Sequence, residues 1–252
     1  MWKAGWGRSP RKSSGPDVVH PQDSPVRGHV VALAGATGVV GRSLAACLDG
    51  RSEVARTCAP GRRALEHAPA SVDCPKLDRI EDEAAWTDVL PDGIELALCA
   101  LGTTIRRAGS RAAFRLVDRD AVLAFARAAR ARGAKRFGLV SSIGAGHPGA
   151  AFYLRTKHEA EQGVLALGFA RVVIVRPSFI DDAGTREEFR PLERLSLPLA
   201  RLLLPPRGKT ADWAPVSPTA IAGCLVDRCL SAPPGVHVVE NREMLGWRPS
   251  AS

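Results

Sequence analysis

The chain has 252 residues, 45% of them apolar and 24% charged, a balance that suits one sizeable α/β domain. Its net charge of +9 comes mostly from arginines spread along Ala-rich stretches, and aromatic residues make up only 5%. A nucleic-acid surface needs clustered basic residues interleaved with stacking rings, so no nucleic-acid partner is expected; no run of about 18 apolar residues occurs, so no membrane span is expected either.

Residues 1–27 mix Gly, Pro, Ser and charge without an apolar stretch. That excludes a secretory signal and reads as a disordered basic leader. Residues 28–245 read as a single domain and 246–252 as a frayed tail. Six cysteines (Cys47, Cys58, Cys74, Cys99, Cys224 and Cys229) show no CxxC spacing and sit mostly in apolar runs. They read as buried free thiols in a reducing compartment, and the cytoplasm is the expected location. The histidines form no ligand pattern with them, so no metal is expected.

In chain order, residues 29–34 form an apolar, β-branched run that predicts a buried strand. The turn GATGVVG follows, Gly35 to Gly41, and then a helix over 42–48. Strand, glycine-rich turn and helix together make a pyrophosphate cradle: the glycines let the backbone approach, and the helix N-terminus offers free N–H groups. Gly35, Thr37, Gly38, Val39, Val40 and Gly41 are the expected dinucleotide contacts. A second strand is expected within 53–59. A carboxylate after it would take the ribose hydroxyls of NAD, whereas an arginine would take the 2′-phosphate of NADP. Here the chain reads Pro60-Gly61-Arg62-Arg63. Arg62 and Arg63 supply forked phosphate donors, which favours NADP(H) over NAD(H).

The run IELALCALGTT, 94–104, predicts a buried parallel strand whose end carries Leu101, Gly102 and Thr103 to the cofactor. A long amphipathic helix is expected over 111–132 with Gly133 as its cap. KRFGLVSS is the next strand and delivers Ser141 and Ser142 to the same edge. The helix FYLRTKHEAEQ then holds the chain's single tyrosine, Tyr153, four residues before Lys157, on one helical face. A phenol titrates near 10 and serves as acid or base at neutral pH only when something stabilises its anion. A neighbouring ammonium does so. Ser142 can steady a substrate oxygen, Tyr153 can move its proton, and Lys157 can also bind the cofactor ribose.

The segment 192–206 is apolar with Pro198 inside; a packed helix is expected there, with a lid, an interface or a membrane-surface contact as alternatives. A helix is expected from Pro218, capped by Ser217, followed by a last short strand within GVHVVENREML.

The blocks GATGVVGR, CALGTTIRRAGSRAAFRLVD, RFGLVSSIGA, FYLRTKHEAEQ and VIVRPSFIDDAGTREEFRPLERL, in this order, resemble the atypical short-chain dehydrogenase/reductases of the Tat-interacting-protein-like group. The resemblance runs from about residue 29 to about residue 204. It implies an α/β fold with a Rossmann-like, doubly wound parallel sheet, helices on both faces and a small C-terminal substrate-side portion. It also implies NADP(H) binding through Gly35, Gly38 and Gly41, the roles given above to Ser142, Tyr153 and Lys157, and passage of Pro177 beside the nicotinamide. The expected activity is hydride transfer to or from a small carbonyl or alcohol by a monomer or homodimer. The alternatives are a non-catalytic, dinucleotide-dependent regulator acting through a protein partner, and a sugar-nucleotide epimerase, for which the portion after Pro177 is short.

Overall fold

The computed structural model describes residues 28–181 and 213–248. The expected leader and the apolar segment 192–206 lie outside these residues, as do residues 249–252. Seven parallel strands form one sheet: β1 (His29–Ala34), β2 (Val54–Cys58), β3 (Val72–Asp73), β4 (Leu96–Cys99), β5 (Arg136–Val140), β6 (Arg171–Arg176) and β7 (Gly235–Glu240). Their order is β3-β2-β1-β4-β5-β6-β7, the doubly wound Rossmann arrangement. The chain leaves β1 in one direction and returns at β4 to build the other half. The crevice at the strands' C-terminal ends therefore opens between β1 and β4. Ala34 pairs with Cys99, so these two strands end level.

Helices cover both faces, which is why the central strands are apolar throughout rather than alternating. On one face lie α1 (Val39–Asp49) and α7 (Pro218–Ser231), over a core that includes Leu33, Leu44, Leu98, Ile221 and Leu225. On the other lie α2 (Glu83–Val89), α5 (Ala121–Ala131) and α6 (Phe152–Ala166). Their core is a file of rings: Trp86 against Phe125 at 4.9 Å, Phe125 against Phe137 at 5.9 Å, and Phe137 against Phe169 at 5.0 Å. All six cysteines are free, and burial lifts the thiols of Cys58, Cys99 and Cys229 to about 12.

Several elements depart from the sequence expectation. Helix α1 begins at Val39 rather than residue 42, because Gly38 already serves as its N-cap. The helix expected over 111–132 is built from three pieces: α4 (Arg111–Arg115), a π-helical turn over Leu116–Asp120, and α5. A short α3 (Ile105–Ala108), capped by Thr104, precedes them. Gly163 does not break α6. A Cβ there would lie 2.5 Å from a Leu123 methyl carbon, so this glycine lets α6 press onto α5. β3 and α2 were not legible, and β7 runs directly into α8 (Asn241–Leu245) through a capping box of Glu240 and Glu243. The domain also continues past residue 245. The Trp247 indole donates to Asp227 Oδ2 at 2.7 Å and lies against Gly223 of α7.

Candidate active site

The glycine loop is built for close backbone approach. Gly35 has φ +85°, a conformation that side chains disfavour, and a Cβ there would stand 2.7 Å from the Ala100 carbonyl at the end of β4. A Cβ on Gly41 would come within 2.0 Å of the Gly35 carbonyl oxygen. The loop thus folds back on the first turn of α1 as tightly as atoms allow. No acidic residue lies in that turn and no side chain caps it, so its N–H groups and positive dipole end remain available to an anion. Val40 is buried in the core and can offer a ligand only its backbone, while the Thr37 carbonyl accepts from Arg42 at 2.8 Å. Arg62 and Arg63 follow β2 directly, exposed and without an ion-pair partner among the described residues.

The second half of the site hangs on α6. Tyr153, Lys157 and Glu161 recur every four residues and share one face. The Tyr153 ring rests on Phe114 of α4, centroids 5.4 Å apart. Lys157 is 7% exposed, yet its Nζ reaches Asp118 Oδ1 at 2.8 Å. Asp118 comes from the π-helical turn and is wholly buried; its other oxygen accepts from the Thr103 backbone N–H at 2.9 Å. Burial pulls the Lys157 ammonium downward, but the Asp118 carboxylate, and after it the Tyr153 phenolate, outweigh that, and the net direction is up. Lys157 is therefore a charged ammonium at neutral pH. A Cβ on Gly102 would sit 3.4 Å from both Lys157 Nζ and Asp118 Oδ1, which puts the end of β4 directly against the pair.

Asp118 is the buried partner of Lys157 that sequence reasoning missed. Its signal was present: Phe114, Asp118, Ala121 and Phe125 follow the apolar stripe of a helix, and an acid on such a stripe needs a partner. The π turn that aims it had no local signature, although such turns recur at functional sites.

The serines part company. Ser142 is half-buried, with only a long 3.4 Å contact to the Ile143 carbonyl, so its hydroxyl is available. Ser141, expected beside the cofactor, turns its hydroxyl to Glu161 instead. Glu161 is buried and also accepts from Arg176 Nε at 3.1 Å and Nη2 at 2.7 Å, while Arg176 Nη1 reaches Glu240 at 3.3 Å. Hydrogen bonding to Glu161 is the leading reason the Arg176 guanidinium is held above its ordinary range. This closed knot satisfies the ends of β5, β6 and β7, and Ser141 belongs to it. Pro177 is buried, and its carbonyl accepts from the Ile143 N–H at 2.9 Å, locking the loop after β6 beside Ser142. Leu101 is half-buried against the core, and Thr103 is fixed by Asp118. The structure therefore brings the glycine loop, Gly102, Thr103, Ser142, Tyr153, Lys157 and Pro177 to one edge of the sheet.

Solved structures with this fold include a short-chain dehydrogenase/reductase superfamily protein from Agrobacterium tumefaciens with bound NAD (TM-score 0.61, 18% identity, 84% of this chain and 77% of that one). Another is the enzyme WbmF from Bordetella bronchiseptica in complex with NAD+ (TM-score 0.61, 13% identity, 88% and 78%). At such identities the likeness shows the fold alone. No protein-family profile matches the chain. Among curated proteins, mitochondrial fmp52 of Emericella nidulans is 40% identical over 171 residues, covering 66% of this chain and 72% of that protein. Mitochondrial fmp52 of Aspergillus niger is 35% identical over 180 residues (69% and 75%), and mitochondrial FMP52 of Candida albicans 31% over 159 residues (62% and 68%).

These relatives carry the Fmp52 name and not that of the Tat-interacting-protein-like group, while the broader short-chain dehydrogenase/reductase fold that the resemblance implies is present. They are also mitochondrial proteins, which overturns the cytoplasmic expectation. Cysteines without paired spacing do not by themselves identify a compartment. By identity and coverage together, the chain belongs to the Fmp52 family.

Proposed function

We propose that the chain is a nicotinamide-dinucleotide oxidoreductase that interconverts a small carbonyl compound and its alcohol, with NADP(H) preferred over NAD(H). The observation that carries this reading is the buried Lys157 ammonium, held by Asp118 against Gly102, on the helical face that bears Tyr153. The loop fits a dinucleotide: a Cβ at Gly35 or Gly41 would strike neighbouring backbone and force the tight turn open, and the first turn of α1 carries no acid to repel a pyrophosphate. Gly35, Thr37, Gly38, Val39, Val40 and Gly41 would hold the diphosphate, mainly through backbone. Arg62 and Arg63 would grip a 2′-phosphate. Leu101, Gly102, Thr103 and Pro177 would flank the ribose and nicotinamide.

The bound cofactor supplies or accepts a hydride at the substrate carbon. Tyr153 delivers the matching proton to the carbonyl oxygen in reduction and removes it from the hydroxyl in oxidation. Lys157 stabilises the phenolate left when that proton is given up and reaches the ribose. Ser142, whose hydroxyl has only the long contact to the Ile143 carbonyl to give up, donates to the substrate oxygen and orients it.

Titration with NADPH and, separately, NADH tests the reading. NADPH is expected to bind more tightly. The Arg62→Ala/Arg63→Ala protein is expected to lose that preference, each lost charge-assisted phosphate contact weakening NADPH by about ten-fold. Tyr153→Phe is expected to bind NADPH like the wild type while losing turnover. If neither nucleotide binds, the oxidoreductase reading is wrong.

The curated relatives' names also bear on location, and we infer a mitochondrial compartment for this chain. Cell fractionation with an antibody to the native chain checks it: co-sedimentation with mitochondrial markers is expected, and recovery in the soluble cytosolic fraction would refute it.

A further inference from the structure

The arginines near Tyr153 are of two kinds. One and two turns further along the same helical stretch, Arg115 and Arg119 both meet Glu159, at 2.6 and 3.2 Å. Arg111, at the start of α4, meets no carboxylate among the described residues. Its guanidinium lies over the Phe152 ring, 5.3 Å from the centroid. Phe152 is the neighbour of Tyr153, and both rings rest on Phe114, at 5.9 and 5.4 Å. The first turns of α4 and α6 are thus packed together, with Arg111 one ring away from the phenol.

A guanidinium held over a ring meets no hydrogen-bond acceptor there, so its N–H groups stay available. Their planar fork matches a carboxylate or a phosphate. Arg106 and Arg107 of α3 stand exposed on the same loop, again without carboxylate partners among the described residues. Residues 100–111 and 141–155, the two stretches that frame Tyr153 and Ser142, contain no Asp or Glu at all. Among the described residues these two stretches therefore carry positive charge with no carboxylate of their own, and Arg111 stands on the Tyr153 side of them, one ring from the phenol. The dinucleotide phosphates, assigned above to the glycine loop and Arg62–Arg63, do not call on Arg111.

We propose that the substrate carries an anionic group, a carboxylate or a phosphate, and that Arg111 is the specificity-determining residue that reads it, with Arg106 and Arg107 adding attraction at the mouth. This rests on the oxidoreductase reading and extends it to a substrate class.

The test uses the full chain saturated with NADP+, to which matched carbonyl probes are titrated: 4-carboxybenzaldehyde against benzaldehyde, and 4-formylphenyl phosphate against 4-hydroxybenzaldehyde. At least one anionic probe is expected to bind about ten-fold or more tightly than its neutral counterpart. The advantage should shrink as salt is raised, disappear in Arg111→Ala and persist in part in Arg111→Lys. NADPH affinity, measured on the same samples, should be unchanged in both variants. Arg111→Lys also serves if the alanine variant folds poorly, since it keeps the charge but not the fork. The proposal is overturned if no anionic probe outbinds its neutral partner, or if the advantage survives in Arg111→Ala. Failure of the wild type to bind NADPH would instead bring down the dinucleotide reading, and the substrate assignment with it.

Discussion

A lysine that is 7% exposed is costly unless its charge is answered, and in this protein one carboxylate answers it. Asp118 has no exposure at all and spends its second oxygen on the Thr103 N–H, so the pair is fixed at both ends. Asp118→Asn keeps the shape and removes the charge, leaving the Lys157 ammonium buried and unanswered. The expected loss is roughly 3–5 kcal/mol of unfolding free energy at pH 7, read by urea denaturation. The sign with pH follows from the raised lysine pKa. A cation held above its ordinary value contributes stability that is complete below the unfolded pKa, near 10.5 for lysine. That contribution fades only as pH climbs through the still higher folded value. The gap between wild type and variant should therefore be flat across neutral pH and narrow in strong alkali. Equal stabilities at pH 7 would show that the pair does not matter to the fold.

Among the elements, legibility tracked how local the cause was. β1, the glycine turn and α1 follow from adjacent residues alone: a β-branched run, glycines where a Cβ would collide, and an apolar helical period. Tyr153 and Lys157 were readable because four-residue spacing on a helix fixes a shared face. The end of β4 and the strand carrying Ser142 were readable as apolar runs closing on polar residues. The π-helical turn was not, because nothing in LVDRD interrupts a helical period. The wider turn re-aims Asp118 at Lys157 and Thr103, partners that are distant in sequence or on another element. Ser141 was misplaced for the same reason. Two consecutive serines at a strand end look equivalent, and only Glu161, twenty residues on, decides which one is withdrawn. Gly163 likewise carries no local sign that it seats Leu123 in a helix–helix contact.

At the scale of the molecule, both edges of the sheet are tied by charge, and only one of them carries the candidate site. The C-terminal edge holds the glycine loop, Ser142 and Tyr153 beside the Lys157–Asp118 pair and the Glu161–Arg176 knot. The N-terminal edge is tied down: Arg136 meets Glu95, Arg132 meets Asp92, and Arg171 closes the end of α7 by donating to the carbonyls of Cys229, Leu230 and Pro233. Between them, the α1–α7 layer is fastened from outside. Asp227 of α7 pairs with Arg51, just beyond α1, and also accepts from the Trp247 indole. A Cβ on Gly223 would lie 2.0 Å from the Trp247 ring, so α7 is shaved at that point to seat it. Trp247→Ala should expose this seat. A half-buried indole is expected to be worth about 2 kcal/mol, or a fall in Tm of about 4–8 °C for a chain of this size. A second readout separates local loosening from general unfolding. Cys224, beside the same seat, has its thiol pushed up to about 11 by burial, and native alkylation at pH 8 should be slow. In Trp247→Ala, mass spectrometry should find Cys224 labelled faster, while Cys99 and Cys229, wholly buried in the two layers of the core, stay protected. An unchanged Tm with Cys224 still protected would mean that the tail merely rests on the domain; labelling of all three would mean that Trp247 holds the whole fold and not one layer of it.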